Sequence, residues 1–131
     1  MATIKAYTDL QQSKKLAEIL PLESADQTWA RIAIAGANLD VPEEMQYRHN
    51  GDMPFQYYSG IGTPCWSLAA LLDVLPILDN RSPVIPKTFD GKYRVVYHST
   101  AYERGIFTHD YDNPIDACYE MIIKLKESNL L

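Results

Sequence analysis

The sharpest chemical candidate in this sequence is Cys65, which follows Gly60-Ile61-Gly62-Thr63-Pro64. Thr63 has the chemistry of an N-cap, and a proline fits the first helical position. That spacing predicts Cys65 in the first turn of a helix, where the positive end of the helix dipole favours a thiolate. His98 and His109 follow on predicted strands, with Asp110 or Asp112 able to orient an imidazole. A cysteine at a helix start followed by a strand histidine is the layout of papain-like hydrolases. The Trp66-Ser67-Leu68 context matches no such family, so the favoured reading of Cys65 is a small core thiol.

Other groupings carry less. His109-Asp110-Tyr111-Asp112 offers nitrogen and oxygen donors, but no second histidine stands at a fixed local spacing, and Asp112 reads as part of a helix-start turn. No metal site and no cofactor is expected. His49-Asn50-Gly51-Asp52 is a turn by residue type. Gly60-Ile61-Gly62 lacks the third glycine and the lysine of a phosphate loop, and Pro64 removes a backbone donor where phosphate would sit. The chain has nine tyrosines and two tryptophans. Tyr47, Phe55, Tyr57 and Tyr58 cluster in an irregular middle stretch, where large, partly polar rings suit a protein-binding surface or half-buried strand positions.

The elements that position these groups follow from periodicity and breakers. Thr8, with Gln11 three residues later, predicts a capped first helix ending at Pro21. Thr28–Ala35 reads as a strand. Between 37 and 62 the main signal is a hairpin about Asn50-Gly51, with Pro54 confining any strand there to an edge. From Trp66 through Leu75 only Ser67 and Asp73 are polar, which predicts a second helix buried on most sides. Lys92–His98 and Arg104–Asp110 alternate as an antiparallel pair. Asn113-Pro114 opens a last helix with Asp116 in its third position and a polar stripe of Asp116, Glu120, Lys124 and Glu127. The expected fold is α+β, about three helices packed on a small, mainly antiparallel sheet, in one globular domain spanning 1–131.

Composition narrows the function classes. The 131 residues are 47% apolar and 22% charged, with a net charge of −5. Lys14-Lys15 is the only adjacent basic pair, so nucleic-acid binding is disfavoured. The apolar stretch Cys65–Leu78 is broken by Asp73 and Pro76 and is too short to span a bilayer. Met1–Lys5 begins no signal peptide, and two cysteines make no disulfide framework; both thiols are expected reduced, in a soluble, cytoplasmic protein.

Three stretches are distinctive: Lys15–Asp26, Pro64-Cys65-Trp66-Ser67-Leu68-Ala69-Ala70-Leu71-Leu72 and Asp112-Asn113-Pro114-Ile115-Asp116-Ala117-Cys118. Together they resemble a family of small proteins of gut-bacterial genomes, many within prophages and other mobile elements. The resemblance implies a genomic setting and no particular activity, cofactor or catalytic residue. Two functional expectations result. The first is a non-enzymatic interaction or accessory protein whose partner is a protein, a second copy of the chain included. The alternative is a cysteine hydrolase using Cys65 with His98 or His109.

Overall fold

The computed structural model describes residues 5–34, 37–44, 63–100 and 104–131. Its elements in chain order are α1 (Leu10–Ile19), a 3-10 turn (Leu22–Ser24), β1 (Gln27–Ile34), β2 (Ala37–Glu44), β3 (Pro64–Cys65), α2 (Leu68–Val74), β4 (Val96–Tyr97), β5 (Ile106–Phe107) and α3 (Pro114–Glu127). Helices beside small antiparallel sheets make this an α+β protein. The backbone divides into two compact units, Tyr7–Ala70 and Met1–Ala6 with Leu71–Leu131.

In the first unit the chain enters α1 one residue later than the sequence pattern predicts. Asp9, not Thr8, is the N-cap: its carboxylate accepts from Gln12 N, and the Gln12 side chain accepts from Asp9 N. An aspartate satisfies a helix start at least as well as threonine. Thr8 is occupied elsewhere, fully buried in a side-chain network described below.

β1 pairs antiparallel with β2 over its whole length, from Gln27 opposite Glu44 to Ile34 opposite Ala37. β2 falls in the stretch where the sequence pattern gives only a later hairpin, yet its own period-two signal is present in Asn38-Leu39-Asp40-Val41. Pro42 masks it, since proline lacks a ladder donor. The sheet order β2-β1-β3 resolves the conflict by placing β2 at an edge. The hairpin expected about Asn50-Gly51 lies outside the described residues.

The second helix departs most from expectation. Residues 63–65 remain extended because they pair with β1: Trp29 N donates to Thr63 O at 2.8 Å, and Gln27 and Thr28 lie opposite Cys65 and Pro64. The helix opens only after Ser67, whose hydroxyl accepts from Ala70 N at 3.3 Å. It is also less buried than its composition suggests. Ala70, Leu71 and Leu75 are buried, while Ala69, Leu72 and Asp73 face solvent. Seven residues make two turns, enough for one buried stripe and no more.

The second unit is built on α3. Asn113 accepts from Asp116 N at 2.8 Å, Pro114 follows as the first helical residue, and Lys124 and Lys126 occupy the last turn, all complementary to the helix dipole. At the other end Asn129 takes φ 56°, with its N–H on Lys126 O and that of Leu130 on Leu125 O, a left-handed cap that satisfies two end carbonyls. Ile115, Ala117, Cys118, Met121, Ile122 and Leu125 are buried. So are Val95 and Tyr97, the alternate residues that the strand pattern places on one face.

β4 and β5 form the expected antiparallel pair, Val96 opposite Phe107 and Tyr97 opposite Ile106. The approach to β5 needs glycine: a Cβ on Gly105 would stand 2.8 Å from Tyr97 O and 3.0 Å from Ser99 N. On the far side Val84 and Val96 exchange backbone hydrogen bonds at 2.9 Å each way. A tight turn at Asp79 and Asn80, both with positive φ, returns the chain so that Leu78 and Arg81 bond each other.

Candidate functional site

Cys65 sits on β3 and not at a helix start, so the helix dipole argument for its thiolate does not apply. The residue is 0% exposed. Its sulfur lies 3.5 Å from Thr8 O, 3.7 Å from Thr8 Oγ1 and 3.8 Å from Gln27 Oε1. Burial pushes the thiol up to about 11, against smaller opposing effects of Thr8 and Ser13. At neutral pH it is a protonated core thiol, a weak nucleophile.

Around it runs a buried network that ties three stretches of chain. Thr8 Oγ1 and Ser13 Oγ stand 2.7 Å apart, Trp66 N donates to Thr8 Oγ1 at 3.2 Å, and Trp29 Nε1 donates to Ser13 Oγ at 3.0 Å. Trp66 Nε1 donates to Ser24 Oγ at 3.0 Å, while both Ser67 N and the Ser67 hydroxyl bond the Asp26 carboxylate. Thus two of the distinctive stretches, Lys15–Asp26 and the one beginning Pro64-Cys65-Trp66-Ser67, hold each other in place. Ser24, Asp26, Trp66 and Ser67, which join them, serve the architecture.

His98 and His109 belong to the second unit, whereas Cys65 belongs to the first. His98 is exposed at the end of β4, and its carbonyl accepts from Arg81 Nη1 at 2.7 Å. His109 is the more organised. Its Nδ1 lies 2.6 Å from Glu120 Oε1, and its backbone N–H donates to Oε2 at 3.1 Å. Tyr111 Oη donates to the same Oε1 at 2.7 Å. Partial burial pushes the Glu120 carboxyl up, but the hydrogen bonds from His109 and Tyr111 prevail and hold it below its ordinary range. An ionised Glu120 fixes the His109 proton on Nδ1. The ring is 83% exposed, so its other nitrogen meets solvent. Tyr111 is pushed up to about 12 by burial and by the carboxylate it serves.

The other acids of the run 109–112 go elsewhere. Asp110 pairs with Arg94, Nη2 donating at 3.0 Å and Nε standing 2.7 Å from the second oxygen without an aligned N–H. Asp112, expected as part of the turn before α3, also pairs with Lys92 across an exposed surface. Among the described residues no group of three His, Cys, Asp or Glu stands where it could hold a metal ion.

His109 lines an open groove of about 510 Å³ with Arg94, Phe107, Thr108 and Lys124. A second hollow of about 450 Å³ lies against Ile77, Arg81, Arg104 and Leu130. Ile106 lines both, so β5 separates them. Phe107 is 62% exposed. Sequence reasoning places β5 correctly but misses this site, because Glu120 and Tyr111 read as helix stripe and loop. The available signal is the alternation of Arg104–Asp110, which sets apolar Ile106 beside cationic and aromatic neighbours. Tyr47, Phe55, Tyr57 and Tyr58 lie outside the described residues.

No family model, curated protein or solved structure matches this chain. Among the described residues no helix is long and apolar enough to cross a membrane.

Proposed function

We propose that this protein acts by binding a protein partner, as a non-enzymatic interaction or accessory protein in the cytoplasm, encoded on a mobile element. The observation that carries the reading is the exposed Phe107 ring in an open groove that Arg94 and Lys124 also line. A large ring left in water beside charged rim groups is the composition of a contact surface. The hydrolase reading needs a thiolate at Cys65, and burial opposes one there.

A photo-crosslinking residue at position 107, with the exposed position 14 as control, tests this in native cells. The expected result is a discrete protein adduct from position 107 and none from position 14. Ester or amide turnover by the purified chain that Cys65→Ser abolishes would overturn the reading.

A further inference from the structure

The groove and the hollow flank a strand, β5, whose outer edge pairs with no other described strand. Thr108 N donates to Val95 O at 3.1 Å, so Val95 and Thr108 form a hydrogen-bonded pair and Val96 with Phe107 the adjoining non-bonded one. The outward groups of Val96 confirm the alternation, since both are used by Val84. The N–H and C=O of Phe107 therefore turn away from β4. Among the described residues no strand pairs with β5 on that side. An unpaired edge is a template for another strand.

Charge says what kind of strand. Among the described residues, the groove and hollow together are lined by the cations Arg81, Arg94, Arg104 and Lys124. The described acids that line them are Asp79 and Asp110. Asp110 is paired with Arg94, and Asp79 stands 3.8 Å from Arg81, so two positive charges are in excess. A chain of net charge −5 thus gathers positive charge beside the outer edge of β5. Two copies paired edge to edge through β5 would set these cations against one another, whereas an acidic segment neutralises them.

We propose that the outer edge of β5 docks an extended acidic segment of a partner protein as an added strand. Backbone pairing to Phe107 supplies register. Acidic side chains meet Lys124 at one end and Arg104 at the other. Apolar side chains cover the Phe107 ring and Ile77, which is also exposed. This inference rests on the interaction reading and deepens it by naming the partner's chemistry.

The test uses the full chain and a fluorescent peptide of alternating glutamate and valine, followed by anisotropy, with a lysine–valine peptide as control. Binding of the acidic peptide alone is expected, weakening with salt. Lys124→Glu or Arg104→Glu should each reduce affinity about tenfold. Phe107→Ala keeps the outward N–H, while Phe107→Pro removes it without touching a bond to β4. Proline should therefore bind about fivefold more weakly than alanine, the worth of one hydrogen bond. Should the proline variant unfold, hydrogen exchange on the unmodified chain gives the same information: the Phe107 amide should slow when the acidic peptide is added.

Equal binding of the lysine peptide, an unchanged Phe107 amide, or occupation of this edge by a second copy overturns edge docking. So do native crosslinks that leave from other surfaces and are indifferent to Lys124→Glu, but those leave the interaction reading standing. Cys65-dependent turnover removes that reading itself.

Discussion

Two polar clusters in this molecule each draw side chains from separate stretches of chain, and their surroundings are opposite. In the Tyr7–Ala70 unit, Thr8, Ser13, Trp29, Cys65 and Trp66 bond one another out of reach of water. In the other unit, His109 and Tyr111 converge on Glu120, with the imidazole almost wholly in solvent. Buried hydroxyls and indoles must be satisfied by protein, so the first cluster specifies one packing arrangement and allows little else. The second has comparable bond lengths, yet water reaches its imidazole directly. Its capacity is chemical: an oriented ring nitrogen and nearby cations face whatever enters the groove.

Removing a large member of the dry cluster should have the greatest effect. Trp66 is fully buried and donates to Ser24 Oγ. Trp66→Ala is expected to cost about 3–5 kcal/mol in a urea melt, as other core aromatic truncations do. A loss below about 1 kcal/mol would show that this cluster is not a core.

Thr8→Val tests the polar bonds with the volume nearly kept. It strands the N–H of Trp66 and one bond of Ser13, both buried, and is expected to cost about 1–3 kcal/mol. The same melts should steepen in alkali. Burial raises Cys65 to about 11 and Cys118 to about 12 from an ordinary value of 9.0. Because the folded pKa values are the higher ones, the native state keeps its full advantage below pH 9. It loses that advantage as pH rises from about 9 through 11, where only the unfolded thiols ionise. Replacing both cysteines with alanine should flatten this part of the curve.

The dry cluster was only partly legible in the sequence, and the reason is physical. Composition marks Trp66 and Leu71 as buried, and Asn113-Pro114 marks the start of α3, because those are local effects of residue type. Thr63-Pro64 carries an equally good local signal for a helix start. It loses to a non-local fact, the pairing of Thr28 with Pro64 across 36 positions. Likewise Thr8 and Asp9 are both competent caps, and what decides between them is that Thr8 is needed by Trp66. In the wet cluster, Glu120 belongs to a helical polar stripe on any local reading. Only the fold brings His109 and Tyr111 to it, eleven and nine residues away.

The smallest expected effect belongs to the wet cluster, and its sign with pH separates the two. Glu120→Gln keeps the shape and one acceptor for Tyr111 but removes the negative charge that His109 Nδ1 addresses. With its imidazole partner in solvent, the change should cost about 1 kcal/mol or less at neutral pH. Glu120 is held below its ordinary carboxyl range, so its contribution is present above the unfolded value of about 4.5 and is lost as pH falls through the lower folded value. The variant and the parent chain should therefore converge in stability in acid, where Cys65 and Cys118 are protonated in both states and contribute no pH dependence. In alkali the difference between them should persist unchanged. If Glu120→Gln instead costs as much as Thr8→Val, the carboxylate is an architectural member and the contrast between the two clusters fails. A small cost joined to a changed tautomer of the His109 ring in its 15N NMR spectrum would place Glu120 where the geometry has it, as the group that orients an exposed imidazole.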